Sequence, residues 1–425
     1  MPHVHVSRRD VAAMLSLALW AIGLALPAAA QQPGDWGWSL PNEKISEKSV
    51  AWLKEKGWWP MTVAFQPPWS GQNTINIVMD RAGLMAKRGI EAKWQAFPSG
   101  PAINEVVVSA RAQVANGGNF PFTSLIDKKV PVKAIAIVSP NLLHALVVPN
   151  DSKIQSVKDL KGGAEPLTIG IVTGSSSEFY FQMVAQVHGL QLGKDVILKN
   201  MPPGEQMAMP KGLAGVVPWD PTPTMIVDDR KTGRIIDVSF PYNFYEGNFY
   251  VRQELIENVP DVVQAYADAV VEATLWIRLN PEKAADMMAE DPNLKNFPKA
   301  TLLQQIKAYN LFYKPTYVYP HAKFWGQANQ PIFDWLYQQK RIQNPLKGKD
   351  FEAAVDAGFM DKTFAKLGWA VPKQPVFLPA SWSGQLDKLP YPEYLNPVNS
   401  KVAQNFPEAG DLTKSWSFGG KTHAP

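Results

Sequence analysis

The sequence predicts an α/β fold arranged as two lobes, and three features of the chain predict it. Apolar runs of strand length alternate with helical spacings from Met61 onward. That series halts at the polar break Pro149-Asn150-Asp151 and starts afresh at Leu167. The stretch beyond Pro260 is helical in pattern, as expected of a chain that builds one lobe, builds a second and crosses back to finish the first.

The first thirty residues stand outside that plan. Ser7-Arg8-Arg9-Asp10, an uncharged apolar stretch over 11–26 and Pro27-Ala28-Ala29-Ala30 before Gln31 follow the charged, apolar, small-residue order of a secretory leader. The apolar stretch falls short of the roughly twenty residues that a membrane span needs. Arg8-Arg9 after a serine also fits a twin-arginine signal, against which Val11-Ala12 are less bulky than the residues usual there. The working chain is therefore expected to start near Gln31 and to be periplasmic. Residues 31–60 read as an N-terminal extension with an amphipathic helix over 44–57. Ile45, Val50, Trp52 and Leu53 give that helix its apolar residues, and Gly57 and Pro60 stop it.

The elements follow in order. Residues 61–65 form a short apolar strand. Ile75, Val78, Met79, Ala82 and Met85 recur at helical spacing up to Gly89, and 91–97 alternate as a second strand, completing one βαβ unit. A helix over 101–111 leads to Gln113-Val114-Ala115, and 132–138 and 142–148 read as two more buried strands. After the break, a short polar helix over 156–160 ends at Gly162-Gly163. The second series is a strand over 167–172, the loop Thr173-Gly174-Ser175-Ser176-Ser177, a helix to His188-Gly189, and strands over 196–198 and 215–217. Strands over 234–238 and 248–251 precede Pro260 and a strong helix with Val262, Val263, Tyr266, Ala269, Val270, Ala273 and Ile277 on one face. Helical patterning continues to Leu367, and prolines gather in an extended arm over 372–397.

Composition removes several function classes. With no cysteine, the chain has no disulfide, thiolate metal site, cysteine nucleophile or lipidated thiol. Forty-two basic against 38 acidic residues, dispersed along the chain, are too balanced for nucleic acid. His144, His188, His321 and His423 show no metal-ligand spacing. Gly174-Ser175-Ser176-Ser177-Glu178 is not the Gly-x-Ser-x-Gly elbow of a serine hydrolase. Met201, Met207, Met209 and Met225 crowd one stretch; adaptable packing explains them better than soft-metal binding, since no cysteine or histidine pair completes a site.

Four phrases carry a resemblance. They are Leu146-Val147-Val148-Pro149-Asn150-Asp151-Ser152; Ile154-Gln155-Ser156-Val157-Lys158-Asp159-Leu160-Lys161-Gly162; Ile169-Gly170-Ile171-Val172-Thr173-Gly174-Ser175-Ser176-Ser177; and Val217-Pro218-Trp219-Asp220-Pro221. With the order of elements, they resemble the periplasmic binding proteins of sulfonate, nitrate and taurine importers, grouped with the thiamine-precursor-synthesis-like proteins. The resemblance runs over about 61–340. It implies a periplasmic-binding-protein type II fold, two α/β lobes joined by a two-segment hinge near 148–150 and 242–248, with ligand between the lobes. Relatives of the fold include a pyrimidine synthase with a cysteine-rich iron motif and a desulfinase with a cysteine nucleophile, neither of which this chain can match. The expected division is 1–30 leader, 31–60 extension, 61–149 first part of lobe 1, 150–245 lobe 2, 246–340 return of lobe 1, and 341–425 helical and proline-rich extension.

Three loops are candidate ligand sites. Gly174, Ser175, Ser176 and Ser177 lie where a strand ends and a helix begins, and a helix N-terminus with free N–H groups favours an anion there; a plain serine cap is the other reading. In Asn116-Gly117-Gly118-Asn119-Phe120-Pro121, two glycines admit close approach and Asn119 offers neutral donors and acceptors, with Phe120 beside it; a simple turn is the alternative, and the resemblance favours binding. In Gln66-Pro67-Pro68-Trp69-Ser70-Gly71-Gln72, the rigid Pro68-Trp69 pair would stack on an organic group with Ser70 or Gln72 donating, unless Trp69 packs in the core. Trp219, followed by Asp220, faces the same choice, and the resemblance favours a pocket role. Neutral donors point to selection by hydrogen bonds and shape, with Arg81, Arg111 and Arg252 as cations that sequence cannot place. Fourteen of the fifteen tryptophans lie beyond the leader and tilt the ligand mildly towards an organic anion.

The function expected is the solute-binding component of an ABC importer. It would be a monomer that closes on a small organic anion, a sulfonate or an aromatic or aliphatic carboxylate, and delivers it to a permease in the inner membrane, with no catalysis, cofactor or metal. An exported ligand sensor and a hydrolytic enzyme on the same fold are the alternatives.

Overall fold

A computed structural model describes residues 38, 40–67, 71–138, 142–312, 315–375, 377–378, 384, 386 and 389–397, and the backbone of a hairpin at 416–418 and 421–423. Residues 1–37, where a leader is expected over 1–30, and Pro68, Trp69 and Ser70 lie outside the described residues.

The chain forms two five-stranded sheets. The first contains β1 (Met61–Phe65), β2 (Ala92–Ala96), β3 (Val114–Gly118), β4 (Val132–Val138) and β10 (Gly247–Arg252) in the order β2-β1-β3-β10-β4. The second contains β5 (Ala145–Pro149), β6 (Leu167–Ile171), β7 (Val196–Asn200), β8 (Gly215–Val216) and β9 (Gly233–Val238) in the order β7-β6-β8-β5-β9. β1 runs parallel to β2 and β3, and β6 runs parallel to β7 and β8. In each sheet the fourth strand is antiparallel to both its neighbours, and that strand is the one that has just crossed from the other sheet: β10 between β3 and β4, β5 between β8 and β9.

This topology moves the first crossing. Residues 142–148 are expected in the first lobe with a hinge near 148–150, but β5 pairs only in the second sheet, so the chain crosses between Val138 and Ala145. Both strands are buried apolar runs, and a strand buried on both faces carries no periodic mark of which sheet it joins. The second crossing runs between Val238 and Gly247.

Local chemistry sets the helices. Gly83, at φ 64°, breaks the apolar stretch after β1 into helices Gln72–Arg81 and Leu84–Lys87, where one helix was expected. Ser46 caps the N-terminal helix Glu47–Glu55 by accepting the N–H of Ser49 at 3.2 Å, and Asp261 fixes that helix to the first lobe through the Ser46 N–H and the Ser49 hydroxyl. The helix Pro260–Leu279 is buried round most of its circumference and forms the backbone of the first lobe. It buries Glu272 in an ion pair with Arg88 at 2.7 Å. The C-terminal arm packs on the second crossing: Tyr391 lies 4.7 Å from Phe244, ring to ring, and donates its N–H to the Pro241 carbonyl. Met201, Met207 and Met225 are buried in the core, as packing side chains. Among the described residues no helix is long and apolar enough to cross a membrane.

Candidate functional site

Carboxyl ends of strands from both sheets converge on one small cavity, the place where open α/β sheets collect ligands. Gln66 and Gly118 follow or end β1 and β3; Ser175 and Ser176 follow β6 and open the helix Ser176–His188; Trp219 follows β8. Leu142 and His144, from the first crossing, and Tyr245, from the second, close the cavity where the lobes are joined. Its free volume is about 20 Å³, room for about one water. The lobes are therefore closed on each other in this structure.

His144 is the central polar group. It is 1% exposed, pairs as an isolated antiparallel bridge with Trp219, and lies 5.0 Å from the Tyr245 ring. Its Nδ1 is 3.3 Å from the Leu142 carbonyl oxygen, which can only accept, so Nδ1 carries the proton. Nε2 is thus an acceptor, and the Ser176 hydroxyl donates to it at 3.1 Å. Burial pushes the His144 imidazole down to about 4, with the Leu142 carbonyl opposing weakly, so the ring is neutral at neutral pH.

The helix start beside it is only partly available to a ligand. Ser175 does not cap the helix: its hydroxyl donates to the Val172 carbonyl at 2.7 Å. Gly174, at φ 79°, gives its N–H to the Glu178 carboxylate at 2.7 Å. The donors that remain are the first-turn N–H groups of Ser176 and Ser177, which no helical carbonyl can reach, and two buried groups without a partner, the Ser177 hydroxyl and Trp219 Nε1.

Polar contacts span the lobes around the cavity. Asp220 accepts from the Tyr309 hydroxyl at 2.5 Å and from the Thr224 hydroxyl at 2.7 Å. Burial pushes the Asp220 carboxyl up, and these hydrogen bonds pull it back. Tyr309 belongs to the helix Lys299–Tyr309 of the return segment, as does Gln305, which donates to Thr224 at 3.3 Å. Trp219, Tyr245, Tyr309, Leu142 and Val172 form a separate small apolar cluster at this junction. At the rim, Arg341 pairs with Glu178 at 2.7 Å and stacks over Phe120 and Trp335.

Of the residues expected at the site, Ser175, Ser176 and Trp219 meet at the cavity. Ser177 and Asp220 stand behind it, one with an unpartnered hydroxyl and the other holding Tyr309. Asn119 spends its amide inside the protein, donating to Phe244 O and Asn243 Oδ1 and accepting from the Phe120 N–H, so it struts the second crossing. Phe120 and Gly174 line an outer groove beside Arg341. Gln72 is fully buried at its helix start, its amide without a partner. Pro68 and Trp69 are not among the described residues. Arg81, Arg111 and Arg252 lie elsewhere, engaged with Glu290, Ser109 and Glu254. Sequence reasoning missed Gln66, His144, Tyr245, Tyr309 and Arg341. Only His144 carried a signal, a histidine directly before a buried strand.

The two lobes with a cavity between them are the fold of periplasmic-binding-protein type II. The chain belongs to the NMT1-like family, whose model matches residues 60–290. It is 24% identical over 316 residues to the taurine-binding periplasmic protein of Escherichia coli, covering 71% of this chain and 92% of that protein. It is 26% identical over 280 residues to a putative aliphatic sulfonates-binding protein of Bacillus subtilis, covering 65% and 79%. Among solved structures, the alkanesulfonate-binding protein of Xanthomonas axonopodis pv. citri bound to MOPS superposes with TM-score 0.58 at 17% identity, over 70% of this chain and 97% of that one. The nitrate-binding protein of Synechocystis gives 0.58 at 16%, over 74% and 91%. These likenesses show the fold, and the relatives are binding proteins.

Proposed function

We propose that this protein is the periplasmic solute-binding component of an ABC importer, a monomer that captures a small organic anion, a sulfonate first among candidates, between its lobes and presents the closed form to a permease. The supporting observation is the cavity between the sheets, where Gln66 and Gly118 of the first lobe meet Ser176 and Trp219 of the second and His144 of the first crossing, with Trp219 Nε1 buried and unpartnered. Ligand drives closure through its greater affinity for the closed state. The sulfonate preference is supported by the names of the relatives.

The experiment is calorimetric titration and thermal shift with taurine, ethanesulfonate, benzoate, acetate and nitrate. Saturable binding of one class without its consumption supports the reading, and no binding to any of them overturns it. The Ser176–His144 contact favours one second reading, a hydrolase using Ser176 as nucleophile and His144 as base. It lacks a carboxylate behind the histidine, where Leu142 O stands instead. Turnover of 4-nitrophenyl acetate that is lost in Ser176→Ala would favour that reading.

A further inference from the structure

We propose that anion capture by this cleft is coupled to uptake of one proton on His144, the Ser176 hydroxyl reversing its hydrogen bond as the imidazole becomes imidazolium. This rests on the anion-binding reading above and specifies how the site supplies its charge.

An anion taken from water into a buried junction needs a compensating charge as well as donors. Among the described residues that line the cavity, His144 is the one side chain able to become a cation. Arg341, the arginine at the rim, is committed to Glu178. His144 is held so that protonation needs no rearrangement of the ring. Nδ1 keeps its hydrogen bond to Leu142 O, and the proton arrives from solvent at Nε2, 3.1 Å from Ser176 Oγ. A hydroxyl both donates and accepts. When Nε2 gains its hydrogen, Ser176 accepts from it and turns its own hydrogen outward, so one proton adds a charge and also frees a donor for the anion.

The groups that face His144 from the elements around it do not supply that charge. Tyr245, on the second crossing, is held far above its usual range by burial and by Glu246 beside it. Tyr309, on the return helix, donates to Asp220. Asp220 has both carboxyl oxygens occupied by Tyr309 and Thr224. Glu246 accepts from Asn329 and Asn248, and Glu178 is paired with Arg341. Without ligand, His144 titrates at about 4, below the neutral range. A bound anion raises it, and between the free and bound values one proton enters with each ligand.

The test is calorimetry of ethanesulfonate and taurine against the whole protein from pH 5 to 8, in buffers of different ionisation enthalpy. The sulfonate group stays ionised throughout, so any proton taken up belongs to the protein. Uptake approaching one proton per ligand is expected between the free and bound values, with Kd weakening by up to about tenfold per pH unit across that window and levelling off above the bound value. His144→Gln, which keeps an acceptor for Ser176, is expected to bind more weakly and with no proton uptake. A Kd independent of pH and a binding heat independent of buffer would overturn the proposal while leaving the binding function standing. Uptake that persists in His144→Gln would also overturn it, placing the proton elsewhere. If that variant does not fold, the imidazole Cε1–H resonance of the unmodified protein decides: an apparent pKa that rises on adding ethanesulfonate is expected, and an unmoved one refutes. Failure of every sulfonate, carboxylate and nitrate to bind would remove the functional reading, and the proposal with it.

Discussion

At Gly118 a Cβ would stand 2.9 Å from the Tyr245 hydroxyl, so the Tyr245 ring closes the cavity only because that atom is missing. Gly118→Ala is expected to push the ring off its seat, cost about 1–3 kcal/mol by overpacking and weaken ligand binding, read by denaturant midpoint and by titration. Next along the crossing, Glu246 is fully buried and pushed up to about 8 by desolvation, against the hydrogen bonds from Asn329 and Asn248. Below its ordinary value of 4.5 the folded and unfolded chains are both protonated there. As pH rises from 4.5 to 8 only the unfolded chain releases the proton, so stability falls by up to about 1.4 kcal/mol per pH unit. Glu246→Gln should therefore gain stability relative to the unmodified protein across that window and show no further gain above it, which urea melts at several pH values would reveal. At this scale the sequence was legible where a residue's role is local. Gly174 adopts the left-handed backbone that a strand-to-helix turn wants, and Ser176 and Trp219 reach the cavity. It misled at Asn119, because its amide partners, Asn243 and Phe244, are more than a hundred residues away in sequence.

Elements were read well where their own pattern defines them and poorly where a partner does. The strand over 132–138 and the helix to His188 stand where periodicity and the capping Gly189 put them. The crossing before β5 could not be read, since the sheet a buried strand joins depends on long-range pairing. The return helices carry contacts that no local pattern announces. Tyr309 and Arg341 each reach from the first lobe to a carboxylate of the second. Tyr309→Phe removes a hydrogen bond to a buried carboxylate and one to the Leu143 N–H, and is expected to weaken ligand binding by about tenfold or more, mainly through faster release. Arg341→Gln breaks a pair whose arginine is about a third exposed and screened by water, so its effect should be smaller, within about threefold. Titration of the two variants side by side checks that order.

As a whole, the molecule repeats one arrangement twice: five strands, with the fourth reversed and supplied by the chain as it arrives from the other side. The two crossings are short segments at one edge of each sheet, and they meet at His144 and Tyr245, so relative movement of the lobes is concentrated beside the cavity. The C-terminal arm is seated on the second of these crossings through Phe244, which ties a region outside the resemblance to the hinge.

The tightness of that cavity sets a limit on speed. A space that admits about one water cannot be entered by an organic anion, so the lobes must part before each capture. In rapid mixing, the observed association rate should climb with ligand at first and then level off at the opening rate, whichever anion is used. A rate that kept rising linearly to high concentration would mean that the protein rests open in solution. If the plateau appears, Tyr309→Phe should raise it, and the protein would gain capture rate at the expense of residence time.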